Sequence, residues 1–163
     1  MSAPTASAPG SGTDPHSLPL LGMVAYGELA SFTRMASDST LAPSLDGRLA
    51  MARLAGRSLA NVELITARIT DLGADPVATM APYAGVLTEF DRRTEPSTWW
   101  ERLLKGYVGY SVSDDFARVL AEGAEPACRE LVELAVSDTG HATLVITVPA
   151  EAGRAYATLA PRL

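Results

Sequence analysis

Asp138 and His141, separated by Thr139-Gly140, form the pair in this chain best suited to chemistry. Side chains three apart share one face of a helix. That face is read here as Leu131, Leu134, Asp138, His141 and Val145, so both polar groups are expected to point into an apolar core. A carboxylate and an imidazole are good ligands for a first-row divalent metal. Bundles that hold two metal ions take an acid-x-x-His pair from each of two helices and a lone carboxylate from each of two others. Glu28 is the natural candidate for a lone carboxylate, since it stands between Val24 and Phe32 in the middle of an apolar stripe. A buried carboxylate without a partner is costly. Glu28 must therefore be paired, hydrogen-bonded, protonated or bound to metal.

The elements that position these groups read as helices. The chain has 163 residues and is 47% hydrophobic, rich in Ala and Leu and poor in aromatic clusters, which suits one helical domain with a sizeable core. Residues 1–16 (Ser, Ala, Pro, Gly, Thr) read as a disordered leader, and 17–163 as the folded bundle. A first helix is expected from Leu18 to Ser37, with the stripe Leu20, Val24, Glu28, Phe32, Met35. A second runs from Pro43 to Gly73, with the stripe Met51, Leu54, Ser58, Asn61, Ile65, Ile69. A crossing segment follows, holding a short helix from Val77 to Phe90. The third helix is expected from Thr98 to Glu122, carrying Trp100, Leu103, Leu104, Tyr107, Tyr110 and Phe116 inward, with Trp99-Trp100 covering the bundle end. The fourth spans Pro126 to Thr147, and a weak last helix runs from Glu151 to Leu159. Two antiparallel pairs joined by such a connection give an all-α, ferritin-like four-helix bundle with a long crossover between helices two and three. A faint echo between Tyr26-Gly-Glu-Leu and Val108-Gly-Tyr-Ser agrees with two related halves.

Composition removes several classes of function. A net charge of −6 disfavours nucleic acid, which needs a basic face. The single cysteine, Cys128, leaves neither a disulfide framework nor a thiolate cluster and reads as a small buried residue. The start of the chain lacks a basic segment followed by an apolar one, and nowhere do ~20 apolar residues run together, so a cytoplasmic protein without a membrane span is expected. No phosphate loop, Ser/His/Asp set or Cys-x-x-Cys occurs, and Arg92-Arg93 reads as a solvated turn.

Five segments carry a family resemblance: Ala25-Tyr-Gly-Glu-Leu-Ala-Ser-Phe32, Met80-Ala-Pro-Tyr83, Pro96-Ser-Thr-Trp99, Lys105-Gly-Tyr-Val-Gly109 and Asp138-Thr-Gly-His-Ala142. Together they resemble the actinobacterial ferritin-like proteins related to the MiaE-type tRNA hydroxylases, over about Leu20 to Ala142. The resemblance implies a diiron carboxylate protein with ligands from four helices. Glu28 then matches the lone acid of helix one, and Asp138 and His141 match the acid-x-x-His pair of helix four. Other positions depart from that pattern. Helix two reads Ser58-Leu-Ala-Asn61 where the resemblance implies Glu-x-x-His, and helix three reads Gly109-Tyr110 where it implies an acid. Two ferrous ions would meet only the charges of Glu28 and Asp138, and Ser and Asn are weak neutral ligands for iron.

Three readings stay open on the residues alone. In the first, the bundle has lost its dimetal centre, and Glu28, Ser58, Asn61, Tyr110 and His141 close the site by hydrogen bonds. The protein is then a non-oxygenase binding or structural protein with no cofactor, its partner a protein or a small molecule, with a homodimer as one assembly. In the second, one iron sits on Glu28, Asp138 and His141, the donor set of an open ferrous site, and supports a hydroxylase or monooxygenase. In the third, a diiron oxygenase recruits Glu63, Asp114 or Asp115; these acids fall off the core stripes and read better as a solvated face.

Overall fold

The computed structural model describes residues 15–137. Asp138, His141, the helix expected at Glu151–Leu159 and all but the end of the expected leader lie outside the described residues. The first two helices are α1, Ser17–Ser39, and α2, Leu45–Asp71. Ser44 caps α2 by accepting the Gly47 N–H at 3.1 Å. At its other end Gly73 turns left-handed (φ 79°), the Gly73 N–H donates to the Thr70 carbonyl at 2.8 Å and the Ala74 N–H to Ile69 at 3.1 Å. This pair of bonds stops the helix at a glycine, as its sequence position implied.

The crossing segment holds α3, Pro76–Met80, a 3-10 turn at Ala81–Tyr83, and α4, Thr88–Arg93. The single helix expected from Val77 to Phe90 is thus broken. Ala84 is extended, Gly85 has φ 83°, and the Val86 N–H donates to the Tyr83 carbonyl at 3.2 Å. That geometry is a type II turn, which calls for glycine at its third residue. The segment lies close on α1 at Gly22, where an added Cβ would meet the Thr79 carbonyl oxygen at 2.3 Å.

Helix α5, Trp99–Ala121, opens with a reciprocal cap in which Thr98 accepts from the Glu101 N–H and Glu101 reaches back to Thr98. Helix α6 spans Pro126–Ala135. Helix α1 packs on α2 and α5, and α6 touches α1, α2 and α5, so four helices surround one interior with α2 and α5 diagonal. The fourth helix does not run unbroken to Thr147. Arg118 donates to the Val136 carbonyl, and the Ser137 hydroxyl donates to Leu134 at 2.8 Å, satisfying carbonyls left open at its end.

Two apolar clusters fill the interior. One joins Leu20, Leu21, Val24, Ile65, Ile69, Cys128 and Val132 with Ala117 and Ala121. The other joins Met35, Met51, Leu54 and Leu103 under Trp99. Burying side chains such as Ile65 and Ile69, both 0% exposed, contributes about 1.5–3 kcal/mol each. The stripes of α1 and α2 match their sequence patterns; those of α5 and α6 match only in part, at Leu103, Tyr110 and Leu131. Leu104, Phe116 and Leu134 face outward, at 55%, 56% and 59% exposure. Trp99, Leu103, Gly106, Ala117 and Ala121 form the inner face of α5, and Cys128, Val132 and Ala135 that of α6. Among the described residues there is no strand and no helix long and apolar enough to cross a membrane.

Candidate functional site

Between the two apolar clusters the interior turns polar. Glu28 comes from the middle of α1, Ser58 and Asn61 from α2, and Tyr110 from α5, all lining a cavity of about 220 Å³. Helical spacing explains the convergence: Ser58 and Asn61 lie three apart on the face that also carries Leu54 and Ile65. The Asn61 amide does double duty, donating to Glu28 Oε1 at 3.2 Å and to the Ala135 carbonyl of α6 at 3.0 Å. It thereby ties α1, α2 and α6 together through one side chain.

Burial pushes the Glu28 carboxyl above its usual value, and hydrogen bonds from Ser58 and Asn61 only partly oppose this. Both donors are neutral, and Glu28 has no ion-pair partner among the described residues. Tyr110 is pushed up to about 12 by burial, against the pull of Arg34 and of the Ser31 hydroxyl, so it stays a neutral phenol near pH 7.

Four of the six residues singled out from the sequence therefore meet, while Asp138 and His141 lie outside the described residues. The chain leaves α6 at this level, because Ala135, Val136 and Ser137 line the same cavity. Asp114, expected on a solvated face, is half-buried and lines the cavity, as do Ser31, Arg57, Ser111, Asp115 and Arg118. The α5 spacing Tyr107, Tyr110, Ser111, Asp114 would have found it, had the larger Leu104 and Phe116 not been taken as the inner face. Glu63 is exposed, and the exposed Asp115 pairs with Arg118 at 2.8 Å.

A second cavity, of about 330 Å³, lies on the crossover side of Glu28, between α1, the crossing segment and α5. Two tyrosines hold the crossing segment over it: the Tyr83 hydroxyl donates to the Pro19 carbonyl at 2.7 Å, and the Gly85 N–H donates to the Tyr26 hydroxyl at 3.0 Å. At its edge Asp91 receives Arg34 and, at 2.9 Å, Lys105. Burial opposes ionisation of Asp91, but these two cations outweigh it and hold its carboxyl below the usual value.

The fit to a metal centre can be judged from the described donors. Glu28, Ser58, Asn61 and Tyr110 offer one carboxylate, a hydroxyl, an amide and an un-ionised phenol, and Asp114 and Asp115 line the cavity from α5. No three His, Cys, Asp or Glu side chains converge among the described residues. Such a donor set does not suit two divalent ions, which need anionic oxygen or imidazole ligands. What Ser58 and Asn61 do is hold the Glu28 carboxyl by hydrogen bonds.

A family model described as ferritin-like domain, actinomycetes, matches residues 14–163. No curated protein matches the chain.

Proposed function

Because the chain belongs to the actinomycete ferritin-like domain family, we propose that it is a member whose dimetal site is depleted and which acts as a non-oxygenase binding protein. The observation that carries this reading is the bond from Asn61 to both Glu28 and Ala135. At a position where a dimetal bundle would place a ligand, an amide cross-links three helices and occupies an oxygen of the remaining carboxylate. The MiaE-type resemblance supports descent from a hydroxylase-like scaffold, and Ser58, Asn61 and Tyr110 mark where the ligand set departs from it. The partner is a small molecule or a protein, not nucleic acid, in keeping with the net charge of −6.

The competing reading is an iron-dependent hydroxylase or monooxygenase that keeps Glu28, Asp138 and His141 as ligands. Melting curves of the wild type and Glu28→Gln, each with and without ferrous or manganous ion, separate the two. A ligand that binds only the folded state raises its stability. Equal melting points with and without metal are expected. A metal-dependent rise in the wild type that disappears in Glu28→Gln would overturn the proposal. Iron analysis after anaerobic ferrous loading gives the same answer by stoichiometry.

A further inference from the structure

The crossover-side cavity has a defined chemistry. Met23, Gly27, Val86, Leu87 and Phe116 give it apolar walls, and Glu28 stands at the end nearest the bundle axis. Its volume of about 330 Å³ falls at the lower end of the range for small-molecule sites, about 300–1,000 Å³. The charged groups at the two ends differ. At the outer edge Asp91 is already matched by Arg34 and Lys105. At the inner end Glu28 receives only the neutral donors Asn61 and Ser58, and Asp114 lines the same cavity from α5.

We propose that this cavity binds a small amphiphile with an alkyl or aryl body and a single ammonium head, the body lying between α1 and the crossing segment and the head against Glu28. An ammonium supplies the counter-charge that no described side chain gives Glu28, and three N–H donors for its free carboxylate lone pairs. A carboxylate head would face Glu28 with like charge, and a hydroxyl would hydrogen-bond without neutralising it. The apolar walls set the body, since an alkyl or aryl group gains by leaving water against Met23, Leu87 and Phe116. The inference rests on the metal-free reading of Glu28, because a carboxylate ligated to iron would not receive an ammonium.

Gly27 offers a direct probe. It lines the cavity, and a Cβ built on it meets nothing within 4 Å. A leucine there would enter the space that the alkyl body needs, while replacing a glycine inside a helix by a better helix former. The experiment titrates n-hexylammonium, 1-hexanol and hexanoate into the wild-type full-length protein by calorimetry, with melting curves alongside. Hexylammonium is expected to bind saturably and raise the melting point, hexanol at least tenfold more weakly, and hexanoate not at all. Gly27→Leu should remain helical and melt no lower than wild type, with hexylammonium affinity reduced at least tenfold. Glu28→Gln should keep the hexanol affinity and lose the preference for hexylammonium, and this arm stands whether or not Gly27→Leu folds. No binding of hexylammonium, hexanoate binding as well as the amine, or an unchanged amine preference in Glu28→Gln overturns the inference. Ferrous ion added to the same samples tells the two failures apart. Without a metal-dependent melting shift, absent amine binding counts against this inference alone; with a shift lost in Glu28→Gln, the metal-free reading falls as well.

Discussion

Two neighbouring regions of the bundle interior are built on opposite terms. Where Leu21, Ile65, Ile69, Cys128 and Val132 meet, every side chain is buried to within 0% exposure and contributes by leaving water. Farther along α1 and α2, and on α5, Glu28, Ser58, Asn61 and Tyr110 face a cavity, and each must be compensated by a hydrogen bond before its burial ceases to be costly. The first region makes the fold stable; the second spends part of that stability on polar groups and empty space. Neither the charge nor the cavity helps folding, which is why the polar middle is the place to look for binding.

The strongest test of that contrast reverses the loss. With Ser58→Glu and Asn61→His together, the polar middle should take up iron, towards about two ions per chain on the pattern of dimetal bundles, with an oxo-bridged absorption after exposure to air. No gain in iron by a protein that remains helical would mean that α2 does not present those positions to a former metal site. Next in size, Ile65→Ala should cost about 2–5 kcal/mol in urea unfolding, because it empties a fully packed site. A loss under about 1 kcal/mol would erase the distinction between the two regions.

Asn61→Ala should cost less, about 1–3 kcal/mol, since it leaves Glu28 and the Ala135 carbonyl without their shared donor. The same unfolding measurement checks it, and a neutral result would remove Asn61 from its cross-linking role. Smallest of all is Glu28→Gln near pH 7. Glu28 ionises above its usual 4.5 in the folded state, so the folded protein holds its proton more tightly than the unfolded chain. The stability this gives is fully present below the unfolded pKa and is lost as pH rises through the raised folded pKa. Glu28→Gln should lack that decline and be neutral or mildly stabilised at pH 7. Stability-against-pH curves that run parallel from pH 4 to 8 for the two proteins would contradict it.

The legible and illegible parts of this molecule divide by helix. On α1 and α2 large apolar residues recur at helical spacing, and the polar exceptions Glu28, Ser58 and Asn61 are visible as interruptions of a clear stripe. On α5 the rule holds at Leu103 and fails beyond it, since Gly106, Ala117 and Ala121 face inward while Leu104 and Phe116 remain exposed. Size and apolarity misassign a helix whose inner face must be small to admit a close neighbour and a cavity. On α6 the helix ends at Ala135, just ahead of Ser137-Asp-Thr-Gly140, a sequence of turn formers and glycine that apolar spacing alone overlooks. Asp114 stands on the cavity side of α5, where size and apolarity do not point.

By itself the sequence determined the helices α1, α2 and α5, the glycine stop of α2, the all-α bundle, and the inward placement of Glu28, Ser58 and Asn61, because periodicity and helix stops act between residues a few positions apart. Only the tertiary structure decided that Asn61 bonds Glu28 and Ala135 at once, that the crossing segment breaks at Gly85 and lies on Gly22, and that cavities open on both sides of Glu28. Apart from the local turn at Gly85, those features join residues tens of positions apart, and a hydrogen bond or a void at such a distance depends on how whole helices pack, which no local pattern encodes.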